Sequence, residues 1–506
     1  MSLFKRALSW FGLRGRELPL DELEDRTTGI HRPLMQLSPH REDRWTLADS
    51  FEGTLILGAN GSGKTTSSGA QIATAMLQSQ AGVLATTTKV GEADRWVAMA
   101  RATGRERDLI LFRPGSGWRF NVLQYECEHG IGGSGLTDNL ASLVTHLVEA
   151  GRPGNGQTAT ERFFQASVHV MARYAIELIR LADARIDLPT ITQVIRTAPQ
   201  DYDQIASPSW QQGSRCLQLV GAARQRVTDE NDLHELRGCE DYFMRELPGM
   251  DPRTRSNVVQ TFVATADGFC HGIFHELFSR DTTFTPDMVL DGKVVILDFP
   301  IKRFGETARL AQILIKEAWQ RCVERRPVSE HTRPVLCFID EAQNFVTPRD
   351  HLFQATARSC RAATVLLTQS MSGLISQLGG GDGRANAEAL ASVLGNKIIH
   401  ASGDPETCQF GERLFAQHWT YRSQTSLNPP QKDKTDSNTG LTSGGSRVTS
   451  SASPSLEARV LAGEFTTLAT GGSRHGFKCE AYFFQAGRSW AASNSNALRV
   501  TFQQMI

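Results

Sequence analysis

A glycine-rich segment that ends in lysine and threonine has the most definite chemistry in this sequence. Residues 58–65 read GANGSGKT and match the spacing G-x-x-x-x-G-K-[ST]. The glycines let backbone N–H groups curl around phosphate oxygens, and the dipole of the following helix adds positive charge. Lys64 would reach the β- and γ-phosphates, and the Thr65 hydroxyl would coordinate Mg²⁺. The predicted nucleotide-binding residues are Gly58, Ala59, Asn60, Gly61, Ser62, Gly63, Lys64, Thr65 and Thr66.

A pair of acids at the end of an apolar run is the second candidate. Residues 335–341 read VLCFIDE, which is typical of a buried parallel strand with two carboxylates at its carboxyl end. Asp340 would hold the Mg²⁺, as in a Walker B motif, and Glu341 would activate water as the general base. The loop and the pair together predict an ATPase that uses ATP and Mg²⁺.

Three further polar residues follow this pair. Gln369 ends the apolar run ATVLLTQS, where it would sense the γ-phosphate or the water; the alternative is a solvated amide at a strand end. Arg358 and Arg361 lie three residues apart on one helix face. Either arginine would stabilise transition-state charge, and the alternative is a solvated helix face. Lys64, Glu341, Arg358 and Gln369 are therefore the predicted catalytic residues.

Short apolar runs alternate with helical patterns along the chain. Strands are expected at 53–57, 82–88, 109–112, 293–299, 335–341, 363–370 and 396–401, with further strand-like pieces at 465–470 and 479–486. A long helix is expected at 307–326. The pattern predicts an α/β P-loop NTPase with a doubly wound, mostly parallel, RecA-like sheet.

The domain organisation follows from changes in this pattern. Residues 1–40 are expected to form a basic amphipathic segment and a linker, and 41–130 the first part of the nucleotide-binding domain. Residues 131–245 are helically periodic and predict an inserted all-α domain. Residues 246–506 complete the nucleotide-binding domain, with a flexible Ser/Thr/Gly-rich loop at 423–455.

Composition bounds the class of protein and its compartment. The 506 residues carry 54 basic and 54 acidic side chains, so nucleic-acid binding would require a local basic region. Nine cysteines without a C-x-x-C pair fit a reducing compartment. Apolar runs are too short for a membrane helix, which predicts a cytoplasmic protein. Residues 1–16 could form a peripheral contact with the inner membrane or a partner; the alternative is an ordinary first helix.

Several segments, taken in order, resemble the type IV secretion coupling proteins, the TraG/TraD-type conjugation ATPases of the HerA/FtsK superfamily. They are GANGSGKT, TTKVGEADRW, ILFRPGSGWRFNVLQ, IDEAQNF, ARSCRAATVLLTQS and NKIIHASGDPET. The likeness runs from about residue 50 to 490 and places the helical insertion as in the family. It implies a hexameric ring ATPase that moves DNA, or a DNA–protein complex, through a central channel. It also implies that Arg358 is an arginine finger.

Two features depart from the family pattern. Thr86, Thr87 and Thr88 precede Lys89 where many relatives carry an aspartate, and the membrane helices usual in relatives are not found in this sequence. A soluble member of a mobile element is therefore one expectation. The alternatives are a HerA-like motor that serves a nuclease in genome defence, an ATPase that moves proteins in secretion, and a nucleotide-gated scaffold or substrate receptor. A relaxase or secretion channel is a further expected partner.

Overall fold

A computed structural model of the chain describes residues 29–129, 135–151, 159–379, 382–428 and 447–505. The amphipathic segment predicted at residues 1–16 lies outside these ranges, as does the middle of the loop predicted at 423–455. Within the described ranges, no helix is long and apolar enough to cross a membrane.

The centre of the structure is a large sheet, to which nine strands of the described residues contribute in the order β13-β12-β9-β3-β8-β7-β4-β6-β5. The run from β9 to β5 is parallel, and β12 pairs antiparallel with both β9 and β13. This confirms the predicted α/β, mostly parallel sheet. Its strands are β3 Thr54–Leu57, β4 Gly82–Ala85, β5 Leu109–Phe112, β6 Val294–Leu297, β7 Val335–Ile339, β8 Ala362–Thr368, β9 Asn396–His400, β12 Lys478–Gln485 and β13 Leu498–Gln503.

Helices cover both faces of this sheet, and they are numbered in chain order. The first ten are α1 Leu47–Ser50, α2 Ala70–Gln78, α3 Glu92–Ala102, α4 Val122–His129, α5 Gly135–Ala150, α6 Ala159–Leu181, α7 Leu188–Thr197, α8 Tyr202–Ile205, α9 Pro208–Gly213 and α10 Arg215–Arg226. The others are α11 Glu230–Asp241, α12 Leu247–Gly249, α13 Pro252–Ala266, α14 Gly272–Phe278, α15 Asp287–Leu290, α16 Ile301–Arg325, α17 Arg349–Ala357, α18 Met371–Leu378, α19 Gly383–Val393 and α20 Pro405–Leu414.

Alternation of side chains along each strand divides the core into two layers. Leu55 and Leu57 of β3 face the layer that contains the long helix α16. Ile56, between them, faces the layer that contains α2 and α3. Because the strands are buried on both faces, they carry continuous apolar runs, as parallel strands do. The carboxyl ends of the parallel strands therefore meet at one edge, where the loops that carry the predicted site begin.

The helical region between β5 and β6 is larger than the predicted insertion of residues 131–245. Helix α13, Pro252–Ala266, packs against α5, α6 and α7. Its buried residues belong to the same apolar cluster as those of these helices. We propose that α13 belongs to the inserted helical unit rather than to the second part of the nucleotide-binding domain.

The flexible loop predicted at 423–455 is wrong at both of its ends. Strands β10 Gln417–Asn428 and β11 Arg447–Ala458 form an antiparallel hairpin in register, with Trp419 opposite Leu456. Its ladder is made by backbone hydrogen bonds, which a Ser/Thr-rich composition supports without an apolar core. A Ser/Thr-rich composition without an apolar face is typical of a loop, which is why it did not predict this hairpin.

Two other expectations differ from the structure. The strand-like piece at 465–470 begins in a 3₁₀ turn, Ala462–Thr466. Its buried side chains, Phe465 and Leu468, are three residues apart, which is not the two-residue period of a strand. The linker expected up to residue 40 contains β1 Pro33–Gln36, which pairs with β2 Arg44–Thr46. Strand β13 was not predicted, although LRVTFQ alternates between buried and more exposed side chains.

Candidate nucleotide-binding site

The glycine-rich loop connects β3 to the helix that covers it, as the motif requires. It begins after Leu57 and leads into a π-helical turn, Thr65–Gly69, which continues as α2. Gly61 and Gly63 have φ angles of 78° and 82°, a region that other residues seldom occupy. The first N–H groups of a helix have no intrahelical acceptor, so this end of the helix is suited to bind an anion.

The loop encloses a cation and an unsatisfied hydroxyl. The Lys64 side chain is only 5% exposed, and its desolvation lowers the pKa of its ammonium group despite the nearby Asp340 and Glu341 carboxylates. Ser62 Oγ is buried and has no hydrogen-bond partner among the described residues. A buried ammonium beside an orphan hydroxyl is costly unless an anion pairs with it. The loop therefore fits a polyphosphate.

Asp340 and Thr65 meet although they are far apart in the sequence. Thr65 Oγ1 donates a hydrogen bond of 3.0 Å to Asp340 Oδ2. Asp340 follows β7, two strands from β3, and accepts a second bond from the Glu341 N–H. Burial raises the pKa of Asp340, and Lys64 opposes this effect. A hydroxyl and a carboxylate at this distance are hard oxygen ligands that suit Mg²⁺.

Three donors surround the carboxylate of Glu341. Lys89 Nζ lies 2.9 Å from Oε1, and the side-chain amides of Gln343 and Gln369 each donate to Oε2 at 2.8 Å. Glu341 itself has a φ of 53°, a strained conformation for a residue other than glycine. Such strain persists only where surrounding contacts hold the residue, so the orientation of this carboxylate is fixed.

The balance of burial and hydrogen bonding decides the charge of Glu341. Burial acts to raise its pKa, but the hydrogen bonds from Lys89, Gln343 and Gln369 outweigh this effect and lower the pKa to about 2. The same bond to Glu341 raises the pKa of Lys89. The two groups form an ion pair in the site.

Lys89 and Gln343 were not predicted as site residues. Lys89 lies in the TTKVGE segment after β4, next to β7 in the sheet, so its place at a strand end was the available signal. Glu92 holds this turn, because its Oε2 accepts the N–H groups of Thr88 and Lys89 at 2.6 and 3.1 Å. Gln343 lies two residues beyond the acid pair, and Thr368 Oγ1 donates to its Oε1.

Arg358 is the predicted residue that the structure does not bring to this site. It follows α17 and precedes β8, at the amino edge of the sheet, where its guanidinium lies 3.5 Å from Glu52 Oε1. Its side chain is 72% exposed. The seven residues of β8 span on the order of 20 Å, so Arg358 lies far from the phosphate loop of its own chain.

Arg361 differs from Arg358, because the side chain of Arg361 is hydrogen-bonded to the backbone. Its guanidinium donates to the backbone carbonyls of Glu330 and Thr332, and its φ is 51°. It therefore braces the turn before β8. Of the two arginines, Arg358 is the one with an exposed head group.

Comparisons with known proteins place this fold. No family model and no curated protein sequence matches the chain. Among solved structures, the unbound bacterial conjugative coupling protein TrwB aligns with a TM-score of 0.59 and 13% identity, over 94% of this chain and 90% of that one. TrwB in complex with ADP and Mg²⁺ aligns with a TM-score of 0.58 and 13% identity, over 93% of this chain and 89% of that one. TrwB in complex with the non-hydrolysable ATP analogue ADPNP aligns with a TM-score of 0.57 and 14% identity, over 93% of this chain and 90% of that one.

The similarity extends over nearly the whole of both chains, so it includes the helical insertion as well as the sheet. At this identity it is a likeness of fold. The resemblance to coupling proteins expected from the order of the sequence motifs is thus confirmed for the three-dimensional structure. This chain has the P-loop NTPase fold of the conjugative coupling protein TrwB.

Proposed function

We propose that the protein is an ATP-driven DNA translocase of the coupling-protein type that works as a hexameric ring. The observation that carries the proposal is the cluster at the carboxyl edge of the sheet, where Thr65 meets Asp340 and Gln369 meets Glu341. A scaffold that only binds nucleotide has little need of a fixed carboxylate beside the phosphate loop. The fold supports the coupling-protein type, since it extends over nearly the whole of TrwB.

The loop residues would hold ATP, and Thr65 with Asp340 would hold Mg²⁺. The metal supplies charge neutralisation at the phosphates when bound. Lys64, buried beneath the loop, contributes a second positive charge with little reorganisation, because its position is fixed before the reaction. The loop N–H groups orient the triphosphate.

Glu341 would accept a proton from the attacking water. Gln369 and Gln343 fix its carboxylate by donating to Oε2. The other oxygen, Oε1, is bound to Lys89. The bond from Lys89 lowers the pKa of Glu341, so Glu341 would become a stronger base toward water when Lys89 releases that oxygen. Gln369, which donates to Oε2, would sense the bound γ-phosphate.

The position of Arg358 supports the proposed ring. Arg358 lies too far from the phosphate loop of its own chain to contact a γ-phosphate bound there. An exposed arginine at the opposite edge of the sheet suits contact with the site of a neighbouring copy. Hydrolysis would then depend on assembly. DNA binding would come from local basic groups multiplied by the symmetry of the ring, because the chain has equal numbers of acidic and basic residues.

The proposal is tested by a triplex-displacement assay with purified protein. We expect ATP-dependent displacement of a third strand from duplex DNA, and hexameric rings in electron micrographs. Lys64→Ala should abolish displacement and retain the fold. Transport of a folded protein substrate without any effect of DNA would contradict DNA translocation. DNA-independent turnover in a monomer would contradict the ring.

A further inference from the structure

The described contacts of the site suit the phosphates, and the order of strands in the sheet indicates the side on which a nucleoside would be bound. On one side of β3 lie β8 and β7, whose ends carry Gln369 and the two acids. That side takes the γ-phosphate and the metal. On the other side lie β9, β12 and β13. Residues that contact the α-phosphate, ribose and base are therefore expected beyond β9.

Beyond the end of β9, segments that precede β12 and follow β13 reach the carboxyl edge. Because β12 runs antiparallel to β9, the loop 470–477 that precedes it lies at this edge. Because β13 runs antiparallel to β12, the residues 503–505 at its end lie there too. We call residues 503–505 the strap. Both segments adjoin the phosphate loop.

The strap is hydrogen-bonded to Thr66, the last of the predicted loop residues. Gln504 Nε2 donates to Thr66 Oγ1 at 2.9 Å, and the Met505 N–H donates to the Thr66 carbonyl at 2.7 Å. Gln504 also connects the strap to the loop 470–477. Its Oε1 accepts the Gly472 N–H at 2.6 Å, and its own N–H donates to the Phe477 carbonyl at 2.8 Å.

Two glycines make this close packing possible. A Cβ on Gly63 would lie 2.2 Å from Cys479 Sγ, and a Cβ on Gly471 would lie 2.3 Å from Gln504 Oε1. The phosphate loop, the strap and the loop 470–477 thus form one packed unit. Its parts come from three places in the sequence, so a motif search over one segment does not find it.

Phe477 is the residue of this unit with an unexplained conformation. Its φ is 59°, and 41% of its surface is exposed. A bulky residue in the left-handed region is a strained outlier, and such strain collects at ligand sites. The Phe477 N–H bond to the Gly472 carbonyl and the Gln504 N–H bond to the Phe477 carbonyl hold it there. An aromatic ring kept at the surface is a platform on which a nucleobase can stack.

We propose that the loop 470–477 and the strap form the nucleoside-binding half of the nucleotide site, with Phe477 as the surface for the base. This inference rests on the proposed nucleotide binding and adds the residues that would recognise the base. The phosphate half recognises any nucleoside triphosphate. The ring of Phe477 stacks on the base, which is a flat aromatic ligand. Gln504 holds the loop 470–477 at a fixed distance from the phosphate loop, because it is hydrogen-bonded to Thr66, Gly472 and Phe477.

The test compares ATP with inorganic tripolyphosphate, which has no nucleoside, by calorimetric titration in Mg²⁺. We expect Phe477→Ala to weaken ATP binding about 5- to 150-fold, the range of base–aromatic stacking, and to leave tripolyphosphate binding within about twofold. Phe477→Tyr should bind ATP as the wild type does. The matched control is Phe163→Ala, because Phe163 is similarly exposed on α6.

The outcomes separate this inference from the proposed function. If the wild type binds both ligands and Phe477→Ala binds ATP as tightly as the wild type, the nucleoside site is wrong and nucleotide binding stands. If the wild type binds neither ligand, the proposed function itself fails. Lys64→Ala should weaken both ligands, since it acts on the phosphates.

A second measurement does not depend on a substitution. Photo-crosslinking of wild-type protein with 8-azido-ATP should label the peptide that contains residues 470–477, and excess ATP should suppress the label. Excess tripolyphosphate should suppress it as well, because both compete for the phosphate loop. Labelling confined to a peptide outside residues 470–477 and the strap would overturn the assignment.

Discussion

Lys89 Nζ and Glu341 Oε1 lie 2.9 Å apart, so a lysine from the turn after β4 occupies one oxygen of the proposed general base. The Lys89 side chain is half exposed and Glu341 is buried, which places the lysine at the mouth of the site. The pair joins two segments that are 252 residues apart in the sequence. We expect Lys89 to restrain Glu341 before hydrolysis.

Lys89→Met tests this restraint. Without the bond that lowers its pKa, Glu341 should be a stronger base, and ATP hydrolysis without DNA should rise about tenfold, the effect of one hydrogen bond to a charged group. Lys293→Met is the control, because Lys293 lies at the amino end of β6 beside Asp108. A fall in the rate to that of a variant without the base would contradict a restraining role. It would instead indicate that Lys89 acts directly on the nucleotide.

Arg358→Ala tests the contribution of a neighbouring subunit. The variant should bind ATP and assemble, yet hydrolyse ATP about 10³- to 10⁵-fold more slowly. Mixing it with Lys64→Ala protein should restore part of the rate. In a mixed ring, the intact Lys64 site of an Arg358→Ala subunit can receive the intact Arg358 of a neighbouring Lys64→Ala subunit. If the two variants assemble together and no activity returns, the in-trans role of Arg358 is wrong.

A buried ion pair should stabilise the segment that follows the two acids. Lys316 of α16 is fully buried and donates to Asp350 Oδ2 at 2.5 Å and to the Phe345 carbonyl at 2.8 Å. Asp350→Ala leaves this ammonium buried without its charge partner, which should lower the free energy of unfolding by about 3–5 kcal/mol in urea titration. The control Glu106→Ala breaks an exposed pair with Arg101 and should leave the free energy of unfolding almost unchanged. Equal losses in the two variants would refute the importance of burial.

The helix after the phosphate loop carries a pH-dependent contact. His400 is fully buried with Nε2 2.7 Å from Ser68 Oγ, and burial, aided by the charge of Lys64, lowers its pKa to about 3. Below about pH 6.5 the unfolded chain binds a proton that the folded chain does not, so stability falls as the pH falls, by about 1.4 kcal/mol per unit.

The matched variant for this contact is His400→Gln, which keeps hydrogen-bonding capacity without a titrating ring. The free energy of unfolding of the wild type relative to His400→Gln should decrease between about pH 6 and pH 4. A difference that stays constant over this range would show that His400 carries the same charge in both states.

The parts of the site that could be predicted from the sequence are those formed by residues adjacent in the sequence. The loop 58–65 and the pair Asp340–Glu341 each lie within one strand–loop unit, so spacing and apolar runs sufficed to find them. Lys89 and the strap enter through the order of strands in the sheet, which no local pattern contains. Gln343 is close to the acid pair in the sequence, but its amide becomes a site residue only because the turn after Glu341 brings it to Oε2. The hairpin β10–β11 was missed because backbone pairing, rather than an apolar face, defines it.

The rate of ATP hydrolysis by wild-type and Glu341→Gln protein, each with and without saturating DNA, tests the central claim most directly. The substitution keeps the size of the side chain and removes its ability to take a proton. The account predicts a DNA-stimulated wild-type rate, and a variant that binds ATP within about twofold and hydrolyses it roughly 10²- to 10⁴-fold more slowly. Equal rates for the two proteins, or a wild-type rate that DNA does not change, would contradict it.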